Sequence, residues 1–335
     1  MTGDTSAWTD RPRGPLRPLL LVAVGGNALI RSGQVGTAEE QFENSLSAAG
    51  PLVELLQAGC GLVITHGNGP QVGAALLRSE LAAGQAHVLP YDCCVAATQG
   101  EIGYLLQYGL WQRMQQVGLQ TPVVTVVTQV RVDRHDPAFA HPTKPVGPFY
   151  TSARAEALHL EHGFAFVEVE GRGFRRVVPS PLPREIVELR AIRACLAEGL
   201  VVIAAGGGGV PVFNDKDTAK GVEAVIDKDL TSALLASQIG ADLFVNVTAV
   251  DRVCLHYGTP RERPLDRLTA AEARLHLEEG QFPEGSMGPK IQAALRFLEG
   301  GGREAVITDA AHLVRAVEGR AGTHVVPATL ALPPA

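Results

Sequence analysis

The chain has 335 residues, of which 46% are hydrophobic and 19% charged, with a formal net charge of −6. This length supports a sizeable buried core and up to two lobes, and the composition excludes a disordered tail protein or a coiled coil. The excess of acidic over basic residues, 35 against 29, disfavours a nucleic acid as the main partner and leaves local anion sites open.

Residues 1–18 are polar, contain Pro12, Pro15 and Pro18 and show no periodicity, so they read as a disordered leader. Residues 19–24 form a continuous apolar run closed by Gly25-Gly26-Asn27, the pattern of a strand buried on both faces that ends in a tight loop. Helical spacing over 39–56 leads into a second apolar run, 62–65, which ends in His66-Gly67-Asn68-Gly69-Pro70. Residues 72–83 and 94–117 read as helices and the Val- and Thr-rich 123–128 as a strand. Residues 131–150 break this rhythm. With Pro137, Pro142, Pro145 and Pro148 and no apolar period, they predict a long excursion outside the sheet, of the kind that often forms a lid. Residues 167–178 have β character around Gly171 and Gly173 and group with that protrusion, and Ser180-Pro181 is expected to open a helix to about 198, near a lobe boundary. The second half repeats the alternation: strand 200–205, loop 206–209, helix 228–239, strand 243–248, helices around Ala270 and Ile291, and strands at 305–308 and 324–326. This βαβ rhythm predicts an α/β fold with a largely parallel sheet, whose ligand site lies beyond the carboxyl ends of the strands.

The glycine clusters at 25–26, 67–69 and 206–209 fall at such strand ends. Any one alone reads as a tight strand-to-helix turn. Three together favour an anion site, because glycine lets backbone N–H groups approach a phosphate or carboxylate closely. Neither G-x-x-x-x-G-K-[ST] nor a G-x-G-x-x-G after a strand occurs, so a P-loop nucleotidase and a Rossmann dehydrogenase are unsupported. Lysine accounts for only five of the 29 basic residues: Lys144, Lys216, Lys220, Lys228 and Lys290. A chain that otherwise writes Arg keeps Lys where a compact point charge must meet a phosphate, and Lys144, Lys228 and Lys290 have the most distinctive settings. The alternative is that all five are ordinary surface charges, with Lys216 and Lys220 in a polar loop. Asp227 reads mainly as a helix cap and Asp229 as an organiser of nearby lysines, with water-mediated contact to a phosphate-bound Mg²⁺ also open.

The ten histidines include no H-E-x-x-H and read as structural. No G-x-S-x-G elbow supports a serine nucleophile, and Cys93-Cys94 fit an apolar helix face better than a reactive pair. Five cysteines without a C-x-x-C pair fit reduced thiols, and the longest apolar stretch, 200–213, is too short and too glycine-rich to span a membrane. With no signal-peptide apolar core before Pro15, a cytoplasmic location is expected.

Several longer blocks carry a resemblance: Val22 to Leu29, Thr65-His66-Gly67-Asn68-Gly69-Pro70-Gln71-Val72-Gly73, Asp136 to Phe139 with Pro142 to Phe149, Gly206 to Val212, Gly221 to Asp229, and Gly285 to Lys290. With these the chain, from about 19 to 326, resembles the carbamate kinases, a branch of the amino-acid kinase family. The resemblance implies an open αβα sandwich with a mainly parallel sheet and a protruding lid at about 131–176. It implies a carbamate-binding N-terminal lobe at 19–195, a nucleotide-binding C-terminal lobe at 196–335, and a homodimer. The implied enzyme is a phosphotransferase with a carboxyl-type acceptor. It moves a phosphoryl group reversibly between ATP and carbamate, giving ADP and carbamoyl phosphate, with Mg²⁺ as cofactor and often running toward ATP. On this basis Gly25, Gly26 and Asn27 would hold the phosphoryl group in transit, and Gly67, Asn68 and Gly69 would present donors to carbamate. Lys144 would arrive with the lid, and Lys228 and Lys290, oriented by Asp229, would neutralise the phosphoryl and ADP oxygens. Gly206, Gly207, Gly208 and Asp227 fall on the nucleotide side, and Thr248, Asp251, Val253, Tyr257, Met287 and Pro289 would border it near the adenine; direct metal ligands stay unassigned. The first strand-end loop lacks the lysine that many amino-acid kinases place there, a feature shared with carbamate kinases. The leader and the polar loop 214–220 depart from the family pattern. The other readings are a family enzyme with a different acid, such as an acetylglutamate kinase, and a nucleotide-binding regulator without turnover.

Overall fold

A computed structural model of the chain describes residues 17–26, 29–31, 33–215, 218–283 and 285–328. The leader expected at 1–18 falls outside these residues except for its last two. Arg17 and Pro18 belong to the first strand, where Arg17 stands opposite Cys60.

The central sheet contains β1 (Arg17–Val24), β2 (Cys60–His66), β3 (Val123–Thr125), β4 (Val201–Ile203), β5 (Leu243–Thr248), β6 (Arg267–Thr269), β7 (Ala305–Asp309) and β8 (Thr323–Val326). Their order is β6-β8-β7-β5-β1-β2-β4-β3. Every neighbouring pair is parallel except β7 with β8, as the alternation of apolar runs and helices requires. The helices are α1 (Ala38–Gln57), α2 (Gly69–Leu81), α3 (Tyr91–Val117), α4 (Ser152–His162), α5 (Leu189–Ala197), α6 (Lys228–Ile239), α7 (Ala270–Glu278), α8 (Met287–Glu299) and α9 (Leu313–Val317).

Alternation along β1 assigns the layers. Leu21 and Ala23 pack with Ile192 of α5, Ala233 of α6 and Ile291 and Phe297 of α8. Leu20 and Val22 face the other way, onto Leu52 of α1, Ile102 and Leu106 of α3 and Leu313 of α9. Both faces of the strand are therefore buried, which is why it reads as an unbroken apolar run rather than an alternating one. The result is an open αβα sandwich.

Four local expectations are corrected. The strand expected over 123–128 ends at Thr125. The Gln99 amide there accepts from the Thr128 N–H (2.8 Å) and donates to the Thr128 carbonyl (3.0 Å), replacing ladder bonds. The chain then leaves the central sheet as Gln129–Val132 and pairs with Pro183–Ile186 and Val210–Asp215. The excursion 131–150 is not irregular throughout: Lys144–Tyr150 is an edge strand paired with Gly173–Val178, which pairs in turn with Ala165–Val169. Its prolines are tolerated at an edge, where the register shifts between Val146 and Phe149. With α4, these three strands form a small sheet separate from the central one, in the segment expected to be the lid.

The helix expected from Ser180 begins only at Leu189, because 183–186 is recruited as a strand by Gln129–Val132. The polar loop 214–220 is instead a hairpin, Val210–Asp215 with Thr218–Gly221, and Lys216 lies outside the described residues. No described helix is long and apolar enough to cross a membrane.

Candidate active site

The carboxyl ends of β1, β2, β4 and β5 bring the glycine clusters together. The Gly67 N–H donates to the Val24 carbonyl (3.2 Å), and a Cβ at Gly67 would lie 2.8 Å from both Cα and N of Gly26. The first two loops thus touch backbone to backbone, a separation that no side chain at Gly67 permits. The third loop folds onto the second: Gly207 has φ +66°, and a Cβ there would stand 2.3 Å from the Asn68 amide. Asn68 is buried, precedes α2 and donates to Thr98 Oγ1 (3.0 Å), while Gly69 opens the helix with nothing near its Cα face. Gly25 and Gly26 follow β1 directly, and Gly206 and Gly208 are buried. Asn27 lies outside the described residues.

The amino end of α6 faces this junction. Asp227 caps the helix, its Oδ1 accepting from the Asp229 N–H at 2.9 Å. Lys228 lies alongside Gly67 and donates to Asp229 Oδ1 (2.5 Å), and Lys290, from the first turn of α8, donates to Asp229 Oδ2 (2.9 Å). Asn246 of β5 adds a third donor, its Nδ2 standing 2.7 Å from Asp229 Oδ1. Lys144 reaches from the lid edge strand to Asp227 Oδ2 at 3.0 Å. The structure thus joins Lys144, Lys228, Lys290, Asp227 and Asp229, which the sequence scatters over 147 positions.

Burial pushes the Lys228 ammonium below its ordinary value, with Asp229 opposing that shift. Burial alone would raise Asp229, but the Lys228 and Lys290 ammonium groups outweigh it and hold the carboxyl well below the usual range. One buried carboxylate therefore faces two ammonium groups at a helix amino terminus, an excess of positive charge that suits a polyanion.

His66, treated as structural in the sequence, is buried between two of the loops. A Cβ on Gly206 would meet its ring at 2.5 Å, and its Nδ1 lies 3.1 Å from the Gly67 carbonyl. A carbonyl only accepts, so Nδ1 carries the proton. Burial pushes the ring down to about 4, leaving it neutral near pH 7. Of the two adjacent cysteines, Cys94 is buried as expected, but Cys93 faces solvent. Desolvation, slight at Cys93 and larger at Cys94, together with the nearby Asp92 carboxylate raises both thiols, which makes neither a ready thiolate.

Thr248 ends β5, Asp251 lies in the bend that follows, and Tyr257 is exposed. Met287 and Pro289 share the first turn of α8 with Lys290. Val253 differs from these: its side chain is wholly buried and its N–H donates to Thr323 Oγ1 at 2.8 Å. Sequence reasoning missed Asn246, although a lone amide in the run Leu-Phe-Val-Asn-Val-Thr is the signal of a buried polar group with a partner. Among the described residues no three His, Cys, Asp or Glu side chains form a metal cage. The hard oxygens of Asp227 and Asp229 do fit Mg²⁺ carried on phosphates, which takes only one or two carboxylates from the protein.

A sandwich whose strand-end glycine loops face lysines at a helix amino terminus is a phosphate-handling scaffold, and the amino acid kinase family model matches residues 18–309. The chain belongs to the amino acid kinase family. Within that family it is 47% identical to the carbamate kinase of Pyrococcus furiosus, over 92% of this chain and 99% of that protein. It is also 47% identical to the carbamate kinase-like protein YahI of Escherichia coli, over 93% and 99%. The structure matches that of carbamate kinase from Giardia lamblia bound to AMP-PNP with a TM-score of 0.89 and 38% identity, covering 92% of this chain and 98% of that one.

Proposed function

We propose that this chain is a carbamate kinase, transferring a phosphoryl group reversibly between ATP and carbamate to give ADP and carbamoyl phosphate. The observation that carries the reading is the Lys228–Asp229–Lys290 cluster, held by Asn246 and set against the touching Gly26 and Gly67 loops. Two anions must be brought into line, and the protein's work is positioning and charge neutralisation.

In the ATP-forming direction an oxygen of the ADP β-phosphate attacks the phosphorus of carbamoyl phosphate. The new P–O bond forms as the bond to the carbamate oxygen breaks, and carbamate leaves. Backbone N–H groups of Gly25, Gly26 and the loop at Asn27 take the phosphoryl oxygens, and Gly67, Asn68 and Gly69 orient carbamate. Lys228 and Lys290 neutralise charge on the moving group and the ADP oxygens, with Asp229 fixing where both ammonium groups point. Lys144 leaves Asp227 for the substrate when both ligands are in place. Gly206, Gly207, Gly208 and Asp227 border the nucleotide phosphates, and Thr248, Asp251, Tyr257, Met287 and Pro289 the nucleoside, with Val253 packing behind them. Asp227 and Asp229 would meet the hydration shell of a nucleotide-bound Mg²⁺, which would lower the charge of the phosphates.

The lobes at 19–195 and 196–335 divide the work, the first holding carbamate and the second the nucleotide. A homodimer fits the groove beside β3, an edge strand of the sheet, where Tyr104 and Trp111 of α3 are exposed among Gln107, Leu119 and Val123. A cytoplasmic location fits the five cysteines, none of which forms a disulfide.

The test is ATP formation from carbamoyl phosphate and ADP with Mg²⁺, against a no-enzyme control and the Lys228→Ala variant. ATP formation that collapses in the variant supports both reaction and site. No ATP above control, with ADP still bound, points to another acid acceptor or to a nucleotide-binding regulator.

A further inference from the structure

The lid meets the nucleotide half through an apolar cluster, Val146 and Val178 with Val210 and Val212, and through polar contacts to the short segment before α6. Residues 223, 225 and 227, just before α6, meet the lid base in alternation. The Arg176 guanidinium lies 2.6 Å from Glu223 Oε2, the Val225 N–H donates to the Pro179 carbonyl at 2.9 Å, and Lys144 reaches Asp227 at 3.0 Å. The chain turns tightly at Glu223, where the Ala224 N–H donates to the Val222 carbonyl at 2.9 Å. Arg176 is buried, with its guanidinium 3.4 Å from the centre of the Phe164 ring, so it is held within the lid before it meets Glu223. It also stands opposite Val146 in the ladder with the strand that begins at Lys144, while Lys144 itself stands opposite Val178. The charge on Glu223 therefore bears on the strand that presents Lys144.

We infer that Arg176 and Glu223 are positioning residues for Lys144: their ion pair sets the lid edge strand against the segment 223–227 so that the Lys144 ammonium stands over the start of α6. The inference rests on the phosphoryl-transfer reading above. Glu223 is the residue to change, because its side chain is half exposed while Arg176 is packed inside the lid. Removing its charge loosens the strand without touching the Lys228–Asp229–Lys290 cluster.

The experiment compares Glu223→Gln and Glu223→Asp, each in the native protein and in Lys144→Ala, by steady-state ATP formation and by amide hydrogen exchange over 144–150. Glu223→Gln should lower kcat about 10-fold with the KM for ADP within about 2-fold, since a misplaced group costs rate more than binding. Glu223→Asp should recover most of the rate, and amides at 144–150 should exchange faster in Glu223→Gln. In the Lys144→Ala background Glu223→Gln should change kcat by less than about 2-fold, because the two residues act as one unit. An unchanged kcat, an undiminished effect in the Lys144→Ala background, or unchanged exchange overturns the inference. A native protein that forms no ATP overturns the kinase reading instead, and the exchange data still decide whether Glu223 holds the strand.

Discussion

Asp227 and Asp229 stand two residues apart at the start of α6, yet the lysines they hold occupy different surroundings. The Lys228 and Lys290 side chains are each 14% exposed around an Asp229 side chain at 6%, whereas Lys144 is 40% exposed against Asp227 at 16%. The first group belongs to the body of the sandwich and is complete only with Asn246; the second joins a lid strand to a helix cap. Buried charges cost much desolvation and must be fully partnered, while a pair near solvent contributes little and exchanges partners easily. The contrast separates a buried, multiply partnered cluster from a single ion pair near solvent, as the proposed roles of a fixed anion site and a lid-borne cation require.

The most severe way to break this contrast is Asp229→Ala, which strands two ammonium groups in a dry site. It should lower stability by about 3–5 kcal/mol, read from urea unfolding, and abolish ATP formation. A loss under about 1 kcal/mol would mean that the cluster is hydrated and no different from the lid pair.

Acid should distinguish the two regions next. His66 is held at about 4 in the fold and starts from 6.5, so between those values the unfolded chain binds more protons. The buried neutral ring carries no penalty above pH 6.5; as pH falls toward 4 the fold loses stability, and the loss reaches roughly 3 kcal/mol at the low end. Unfolding of the native protein and of His66→Gln at pH 7 and pH 4.5 isolates this part; parallel slopes would show that the ring is hydrated.

Lys144→Ala should reverse the pattern of Asp229→Ala. The expected kcat falls about 100-fold, while stability stays within about 1 kcal/mol and ADP affinity changes little. Equal losses of turnover and ADP binding would place Lys144 on the nucleotide rather than on the moving group. The smallest effect belongs to the far end of the same strand, where the Tyr150 hydroxyl donates to Glu80 at 2.6 Å. Tyr150→Phe should cost about 1 kcal/mol of stability, with a few-fold lower kcat, and a kcat equal to native would show that α2 does not help to seat the lid.

Much of the architecture was legible because burial leaves a periodic trace. The run 19–24 announced a central strand, and α6 and β5 fall at the residues their patterns predict. The lid was legible only as a break in rhythm. Its first strand contains Pro145 and Pro148, which local propensity rejects and which an edge position with a register shift accommodates. The strand at 183–186 was likewise hidden, since its pairing with Gln129–Val132 overrides a helix-opening signal. Within the candidate site, the scarcity of lysine drew attention to Lys144, Lys228 and Lys290, whereas Asn246 showed only as a lone amide in an apolar strand and His66 read as one histidine among ten.

By itself the sequence determined the layered α/β class and the glycine-closed strand ends, because apolar period and steric freedom are properties of neighbouring residues. It also marked the lysines as a separate chemical choice. Only the tertiary structure decided which charges meet. Asp229 and Lys290 are 61 positions apart and Lys144 and Asp227 are 83 apart, and no local rule joins such residues. Sheet order does: placing β1 between β2 and β5 puts the glycine loops opposite α6, and the lid's base then lies along 223–227. Electrostatic partnership depends on distance through space and on burial, both of which exist only once the chain has folded.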